Sequence, residues 1–511
     1  MSQLNIFRKF ALLTGAFFLY TSTFGQSMLE LLPGSKELVY DEKEGAHKLL
    51  GGANFIYQRN TMYSDSAYFY DKTKILKAYG NVHIQKDGTV NLFCDSLQYD
   101  GNTGKSKMWG HVRAIDTDYK LTTDSMDYDT RAEQGVYRRG GKIENLLNAE
   151  VLTSRVGYFY PKAKNFFFRG DVKYKSPTVT MTTDTLQYKY AEKRCYFFGP
   201  TNVTSEDAII YCEKGWYNTE TEEGKLMEHA TINQGSKFIE GDTILYDPAS
   251  KISQGYCNVY YIDTTDKIGF KGDYALLNDS MNYSLVTGNA MAIKYQPKDT
   301  IYMRADVLFN ENDSLGDRIL TKGYHNVKIF GNNLQSVADS MVFVKENEYL
   351  ELFKDPIVWS KNGELKGDSL RIYMNDSTIH RIEVHRRATV VMEVDSGLYY
   401  NQIGGNDITA YFKDNEIYQA IAVGNAQTVF YPTDEEKTDT LVTIKRLGMN
   451  RLYSSELKVY LDSGEVTGVT YFQQPDGVFY PMDKIKQDES KIANFALKFA
   501  LRPKSVDDLY E

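Results

Sequence analysis

The chain has 511 residues, 42% of them hydrophobic and 25% charged, a composition that predicts an ordered core and argues against disorder. A formal net charge of −9 argues against nucleic-acid partners and against simple adsorption to anionic lipid, since both favour a basic surface. With 40 Tyr and only 11 Pro, the balance favours β-strands.

The N-terminus has the pattern of a secretory signal. Arg8 and Lys9 precede an apolar run over 10–20, and the small or modest residues Thr23 and Gly25 come before Gln26. The run is shorter than the about 20 residues that span a membrane. We expect a signal peptide over 1–25 and an exported chain from residue 26, with a retained N-terminal anchor as the alternative.

A block of Asp, Ser or Thr, an apolar residue, any residue and a large apolar residue recurs about every 30 positions, as in Asp95-Ser96-Leu97-Gln98-Tyr99. Clear copies occupy 65–69, 95–99, 124–128, 184–188, 242–246, 339–343 and 368–372. A second block such as Gly80-Asn81-Val82 or Gly110-His111-Val112 follows about 15 residues later. The spacing predicts an all-β array of about thirteen repeats, each with two strands.

Apolar and polar residues alternate within these blocks, so each strand buries one face. Two strands cannot bury a face alone, and neighbouring repeats must stack. We expect an elongated structure of two facing sheets in which each repeat adds one strand to each sheet. The repeated Asp is expected to bond to the backbone of a turn at a strand entrance.

The regular array is predicted over 26–430, either as one array or as two or more fused jellyrolls. The remaining 431–511 reads as irregular, with mild helical spacing over 484–499 that suggests a capping helix.

No sequence motif indicates catalysis or metal binding. The seven His have no metal-ligand spacing, and the repeated Asp lacks the pattern of a calcium-binding repeat. We expect no enzyme activity, no catalytic residues, no metal and no cofactor. Cys94 and Cys212 lie at the same phase of distant repeats and should not pair, so free thiols are expected, with Cys195–Cys212 the least implausible bridge.

The alternation of Gly80-Asn81-Val82 with Asp95-Ser96-Leu97-Gln98-Tyr99-Asp100 resembles the OstA-like, LptA-type proteins of lipopolysaccharide transport. The resemblance implies an open two-sheet β-jellyroll in the periplasm that shields lipopolysaccharide acyl chains in an apolar groove. It also implies edge-strand joining to other transport proteins, or end to end between copies, to bridge the inner and outer membranes.

On this interpretation the apolar positions of the repeats line the groove. The candidate ligand-binding residues are Val82, Ile84, Leu97, Tyr99, Val112, Met126, Tyr128, Val172, Leu186, Tyr188 and Ile244. Two alternatives stay open. One is a structural or adhesive repeat protein with a sealed core that binds glycan or protein on its outer face. The other is a carbohydrate enzyme on a repeat fold, which requires a local pair of carboxylates.

Overall fold

The computed structural model describes residues 29–511 except 58–59, 87–89, 116, 118, 130, 133, 148, 161–164, 178, 190–191, 193, 206–207, 219–220, 222, 297–298, 316, 361–362, 376–377, 415, 439–440 and 463–464. The expected signal peptide therefore lies outside the described residues. The chain divides into two compact units, Met1–Lys251 (unit 1) and Ile252–Glu511 (unit 2). The described residues are almost entirely β, and the all-β repeat fold is confirmed.

Unit 1 contains eighteen strands among its described residues. They are β1 (Leu29–Leu31), β2 (Glu37–Asp41), β3 (Ala46–Tyr57), β4 (Asn60–Tyr70), β5 (Ile75–Lys86), β6 (Val90–Asp100), β7 (Lys105–Ile115), β8 (Tyr119–Asp129), β9 (Gln134–Tyr137), β10 (Gly141–Asn145), β11 (Val151–Ser154), β12 (Val156–Tyr160), β13 (Asn165–Lys175), β14 (Val179–Lys189), β15 (Arg194–Ser205), β16 (Ile209–Asn218), β17 (Gly224–Gln234) and β18 (Lys237–Asp247).

Unit 2 contains twenty strands among its described residues. They are β19 (Ile252–Asp263), β20 (Ile268–Asn278), β21 (Tyr283–Thr287), β22 (Met291–Tyr295), β23 (Thr300–Arg304), β24 (Val307–Asn312), β25 (Arg318–Phe330), β26 (Gln335–Val344), β27 (Tyr349–Phe353), β28 (Ile357–Trp359), β29 (Gly363–Lys366), β30 (Ser369–Asn375), β31 (Thr378–Val394), β32 (Tyr399–Lys413), β33 (Glu416–Phe430), β34 (Thr433–Thr438), β35 (Leu441–Arg446), β36 (Gly448–Asp462), β37 (Glu465–Phe472) and β38 (Asp476–Pro481).

Neighbouring strands pair in antiparallel ladders, and the ladders between long strands commonly shift register near the middle of the strand. Between β5 and β6, for example, Tyr79 pairs with Ser96 and the next pair is Val82 with Cys94. The extra residue is a β-bulge, which bends a strand and interrupts its ladder. Each long strand therefore consists of two ladder segments joined at a corner.

The corners divide each unit into two walls. We call wall A the segments that follow the repeated Asp or precede the repeated Gly, such as 96–100 and 75–79. Wall B holds the segments on the other side of the corner, such as 90–94 and 82–86. The expectation that each repeat adds one strand to each sheet is wrong, because each long strand crosses the corner and contributes part of its length to both walls. Where the strands are short, as with β9 and β10, each strand lies in one wall. One 30-residue repeat thus extends each wall by two strand segments.

The side chains of the two walls share one interior. In β6 the buried residues are Val90, Leu92 and Cys94 in wall B, and then Leu97 and Tyr99 in wall A. The inward positions change phase by one residue at the corner, so the inward face stays the same through the bend. Residues of both walls join in one hydrophobic core in unit 1.

The C-terminal region differs from the sequence expectation. The sheet continues beyond 430, where β36 pairs with β33 and both β37 and β38 pair with β36, and β34 and β35 form a separate hairpin. In place of a helix over 484–499, the chain forms short 3-10 turns at Met482–Lys484, Phe499–Leu501 and Asp507–Leu509, joined by irregular segments that include further turns. The apolar spacing that suggested a helix serves contacts with the sheet, described below.

Candidate functional site: the two-wall interior and its corners

The corner between the walls is built by the two repeated sequence blocks. Gly80 and Asn81 both have positive φ, at 73° and 45°, which turns the strand sharply. Asn81 Nδ2 donates a hydrogen bond to Asp65 Oδ2 on the adjacent strand at 3.0 Å. A Cβ on Gly80 would lie 2.2 Å from the same oxygen. The repeated Asp and the repeated Gly are therefore cross-strand partners that form one corner.

Other corners repeat this arrangement with different polar partners. The paired atoms are His111 Nδ1 and Asp95 Oδ2 at 2.7 Å, Asn289 Nδ2 and Asp273 Oδ2 at 3.1 Å, Asn326 Nδ2 and Asp306 Oδ2 at 2.7 Å, and Arg387 Nε and Asp368 Oδ1 at 2.6 Å. The expectation that the Asp stands at a strand entrance is wrong, because it stands at mid-strand. Its role is to hold the corner.

The predicted ligand-binding residues all point into the interior. Each is buried, with an exposed fraction between 0% and 7%. Val82, Ile84, Val112 and Val172 lie in wall B, whereas Leu97, Tyr99, Met126, Tyr128, Leu186, Tyr188 and Ile244 lie in wall A. All except Ile244 belong to the continuous core of unit 1.

Sequence reasoning missed the inward residues just before the repeated Asp. Leu92 and Cys94 lie three and one positions before Asp95 and are buried in wall B. The signal was the same alternation of apolar and polar residues, continued across the corner with a one-residue change of phase. The missed residues make wall B as apolar as wall A.

A small cavity lies between the walls of unit 1. It measures about 10 Å³, at the lower limit of what one water molecule occupies. Its lining contains Leu152, Val172, Tyr174, Met181, Thr183, Leu186 and Cys195. These residues come from both walls, so the cavity marks a place where the two inner faces are incompletely packed against each other.

The cysteines of the interior are buried free thiols with raised pKa values. All four cysteines of the chain are free thiols, and Cys94, Cys195 and Cys212 are buried. Burial raises the pKa of Cys94 to about 12 and that of Cys212 to about 11. These two thiols are protonated at neutral pH, and the thiolate, not the thiol, is the nucleophile.

Within the described ranges, no group of three or more His, Cys, Asp or Glu residues is arranged to hold a metal ion. The same part of the chain contains no helix long and apolar enough to cross a membrane.

The edges of the arrays carry apolar side chains. At the N-terminal edge of unit 1, β1 and β2 pair with β3 on one side only among the described residues, and Leu38, Val39 and Tyr40 of β2 are exposed. In unit 2, β38 pairs with β36 and exposes Val478 and Phe479. An unpaired edge strand is a template for strand addition by another chain.

Comparison with known proteins identifies the repeat. Residues 32–184, which run from the segment before β2 to the corner Asp184 of β14, match the family model of the OstA-like proteins. Residues 32–184 are OstA-like. The family resemblance seen in the sequence is thereby confirmed, and the OstA-like segment supports the prediction of a protein of the lipopolysaccharide-transport type.

A solved structure also matches. It is LptH of Pseudomonas aeruginosa, described as the LptA-homologous periplasmic component of a lipopolysaccharide transport device. The identity is 16%, the match covers 27% of this chain and 82% of LptH, and the TM-score is 0.15. No curated protein matches the chain.

Proposed function

We propose that the protein is a periplasmic carrier for lipopolysaccharide, and that it holds the acyl chains between walls A and B of unit 1. The observation that carries this proposal is the OstA-like match, which covers strands whose inner faces are apolar on both walls. The candidate ligand-binding residues lie on these faces, and the cavity beside Leu186 gives a starting point for entry.

Lipid entry requires the two walls to separate, because the interior is filled. The register shifts make this possible, since the ladder hydrogen bonds run within each wall and are interrupted at the corner. A change of the angle at the corner then acts mainly on the bonds at the corner itself, such as that from the backbone N–H of Arg155 to the carbonyl of Gly170 at 2.9 Å. The acyl chains then replace the contacts that the two inner faces make with each other.

The export signal expected over 1–25 and the apolar edge strand β2 complete the proposal. An exported carrier with an open edge can add a strand from a neighbouring transport protein, or from a second copy. A series of such joints would bridge the inner and outer membranes. The charge of −9 does not oppose this role, because the lipid is held by its acyl chains.

A photo-crosslinking experiment tests the location of the lipid. We replace Tyr188, on the inner face of wall A, with a benzophenone amino acid, and use Tyr196 on the outer side of β15 as the matched control. After incubation with lipopolysaccharide and irradiation, we expect a lipid adduct from position 188 and none from position 196. Native mass spectrometry of the unmodified protein should show the same lipid bound.

A second candidate function is a sealed structural or adhesive protein that binds glycan on its outer face. The near-complete burial of the inner residues favours it, and so do the exposed aromatic residues Tyr79, Trp109 and Phe198, each directly before a corner Gly. This function predicts no adduct from position 188 in the folded protein, and binding of a lipid-free glycan. That result would reject the carrier.

A further inference from the structure

The C-terminal segment after β38 lies across the outer face of wall B in unit 2. We call residues 484–511 the strap. Going from its start to its end, it contacts Arg451 in β36 and Gln402 in β32, then Glu364 in β29, then Gln335 in β26, then Lys328 in β25, and finally Met291 in β22. The strap thus runs along the wall in the direction opposite to the chain, across one strand after another.

At Gln402, a side chain of the wall forms hydrogen bonds with the backbone of the strap. Gln402 Nε2 donates to the carbonyl of Ser490 at 2.8 Å, and the backbone N–H of Ile492 donates to Gln402 Oε1 at 3.0 Å. One side-chain amide thus bonds to a carbonyl and an N–H two residues apart. Ile492 packs in a core with Val429, Tyr431 and Met449. A Cβ on Gly404 would lie 3.0 Å from Ile492 Cδ1, so the glycine leaves room for this side chain.

At Glu364, the strap donates a hydrogen bond to one oxygen of a buried carboxylate. Glu364 is 0% exposed, and its Oε2 accepts hydrogen bonds from Trp359 Nε1 at 3.0 Å and from the backbone N–H of Lys498 at 2.9 Å. The ammonium of Lys366 lies 3.2 Å from Glu364 Oε1 and also donates to the carbonyl of Ala496. The strap supplies a donor that the buried carboxylate needs.

The far end of the strap is held by charge and by apolar packing. Arg502 Nη2 donates to Gln335 Oε1 at 2.6 Å. Leu509 is fully buried against Met291 and Ile293, which are outward-facing residues of β22. The guanidinium of Arg304 stacks 5.3 Å from the centre of the Tyr510 ring. The strap is therefore held at three places along the wall, namely at Gln402, at Glu364 and at its far end.

The strap is held less firmly than the strands beneath it. Within its described residues, no segment of 484–511 joins a ladder of the sheet, and its bonds to the wall involve side chains of the wall. Segments with few backbone bonds to their surroundings open at a lower free energy than the core. Release would uncover Met291, Ile293, Val429 and Met449, an apolar patch of a kind that marks binding surfaces.

We propose that the outer face of wall B in unit 2 is a groove for a peptide, that the strap is its ligand within the chain, and that the strap of a second copy binds the same groove. The occupant is fixed by the segment seated there. Covalent linkage gives the chain's own strap a high effective concentration, so a second strap binds only when the first is released. This proposal does not depend on lipid binding.

The test uses the full chain with a protease recognition sequence inserted between Asp483 and Lys484. After cleavage, the peptide 484–511 should remain with the protein in size-exclusion chromatography and native mass spectrometry. A fluorescent synthetic peptide of residues 484–511 should then exchange into the cleaved protein, whereas a scrambled peptide should not. The uncleaved protein should take up at least tenfold less labelled peptide, because its groove is occupied.

The matched variants are Gln402→Ala and Gln419→Ala, each made in the cleavable chain. Gln419 lies in wall A of β33, away from the strap. Loss of both bonds to the strap backbone should weaken peptide binding about tenfold or more in the first variant, with no change in the second. The proposal is overturned if the cleaved peptide leaves at once while the sheet stays folded, if uncleaved protein binds the peptide equally, or if the two variants behave alike.

Discussion

Replacement of the corner glycine Gly110 by Ala should destabilise unit 1 strongly, and the structure gives the two reasons separately. Gly110 has φ of 77°, and an L-residue in this region costs roughly 1–2 kcal/mol. A Cβ there would also lie 2.2 Å from Asp95 Oδ2 and 2.6 Å from Asp95 Cβ. Overpacking of this kind costs about 1–3 kcal/mol. The free energy of unfolding should therefore fall by about 2–5 kcal/mol.

The control is Gly235→Ala, also in unit 1. Gly235 has φ of 59°, and nothing lies within 4 Å of a Cβ built on it, so only the backbone cost of roughly 1–2 kcal/mol applies. Urea unfolding followed by far-UV circular dichroism measures both variants. In an Asp95→Gly background the added cost of Gly110→Ala should fall to that of the control. Equal costs of the two Ala variants in the wild-type background would refute the cross-strand corner.

Two further predictions concern single side chains. In the folded protein, a thiol reagent at pH 8 should rapidly modify only Cys257, because the other three cysteines are buried. Burial also raises the pKa of Cys94 to about 12. Rapid reaction of a second thiol would contradict the buried interior. The hydrogen bond from Lys354 lowers the pKa of Asp339 from 3.8 to about 2, so this carboxylate stabilises the folded state above pH 4 and the stabilisation is lost as pH falls towards 2. Asp339→Asn should therefore lower the urea midpoint at pH 7 and not at pH 2, whereas an equal deficit at both values would show that charge is not the cause.

The sequence shows which residues recur at the corner, but it does not show that the corner lies in the middle of a strand. Gly80 and Asn81 were found as a block that recurs midway between the Asp blocks, and the structure shows that both residues have positive φ. A hairpin turn and a mid-strand corner need the same residues, so local sequence does not distinguish them. The distance to Asp65, fifteen residues earlier, was visible as a period, but its meaning depends on the antiparallel register that places the two side chains together.

Local sequence patterns were also sufficient for part of the interior, but not for the contacts of the strap. Alternation was sufficient to predict that Leu97 and Tyr99 face inward, whereas Leu92 and Cys94 were missed because the phase changes at the corner. Ile492 carries an apolar spacing that fits a helix. Its actual environment is a pocket beside Gly404, almost ninety residues earlier in the chain, and no local pattern encodes such a contact.

The closed interior is the state that a lipid carrier should adopt without lipid. Two apolar walls held apart in water would expose the surface that drives folding, at about 25 cal/mol for each Å². The walls therefore close until they touch, as the burial of Val112 and Tyr188 shows. The corner pairs are exposed, and a hydrogen bond in water contributes only about 0.5–1.5 kcal/mol. Resistance to opening thus comes mainly from the contact between the inner faces. An acyl chain of about 12 methylenes would restore on the order of 10 kcal/mol of that contact, so in the proposed carrier the same apolar residues would seal the empty protein and bind the lipid.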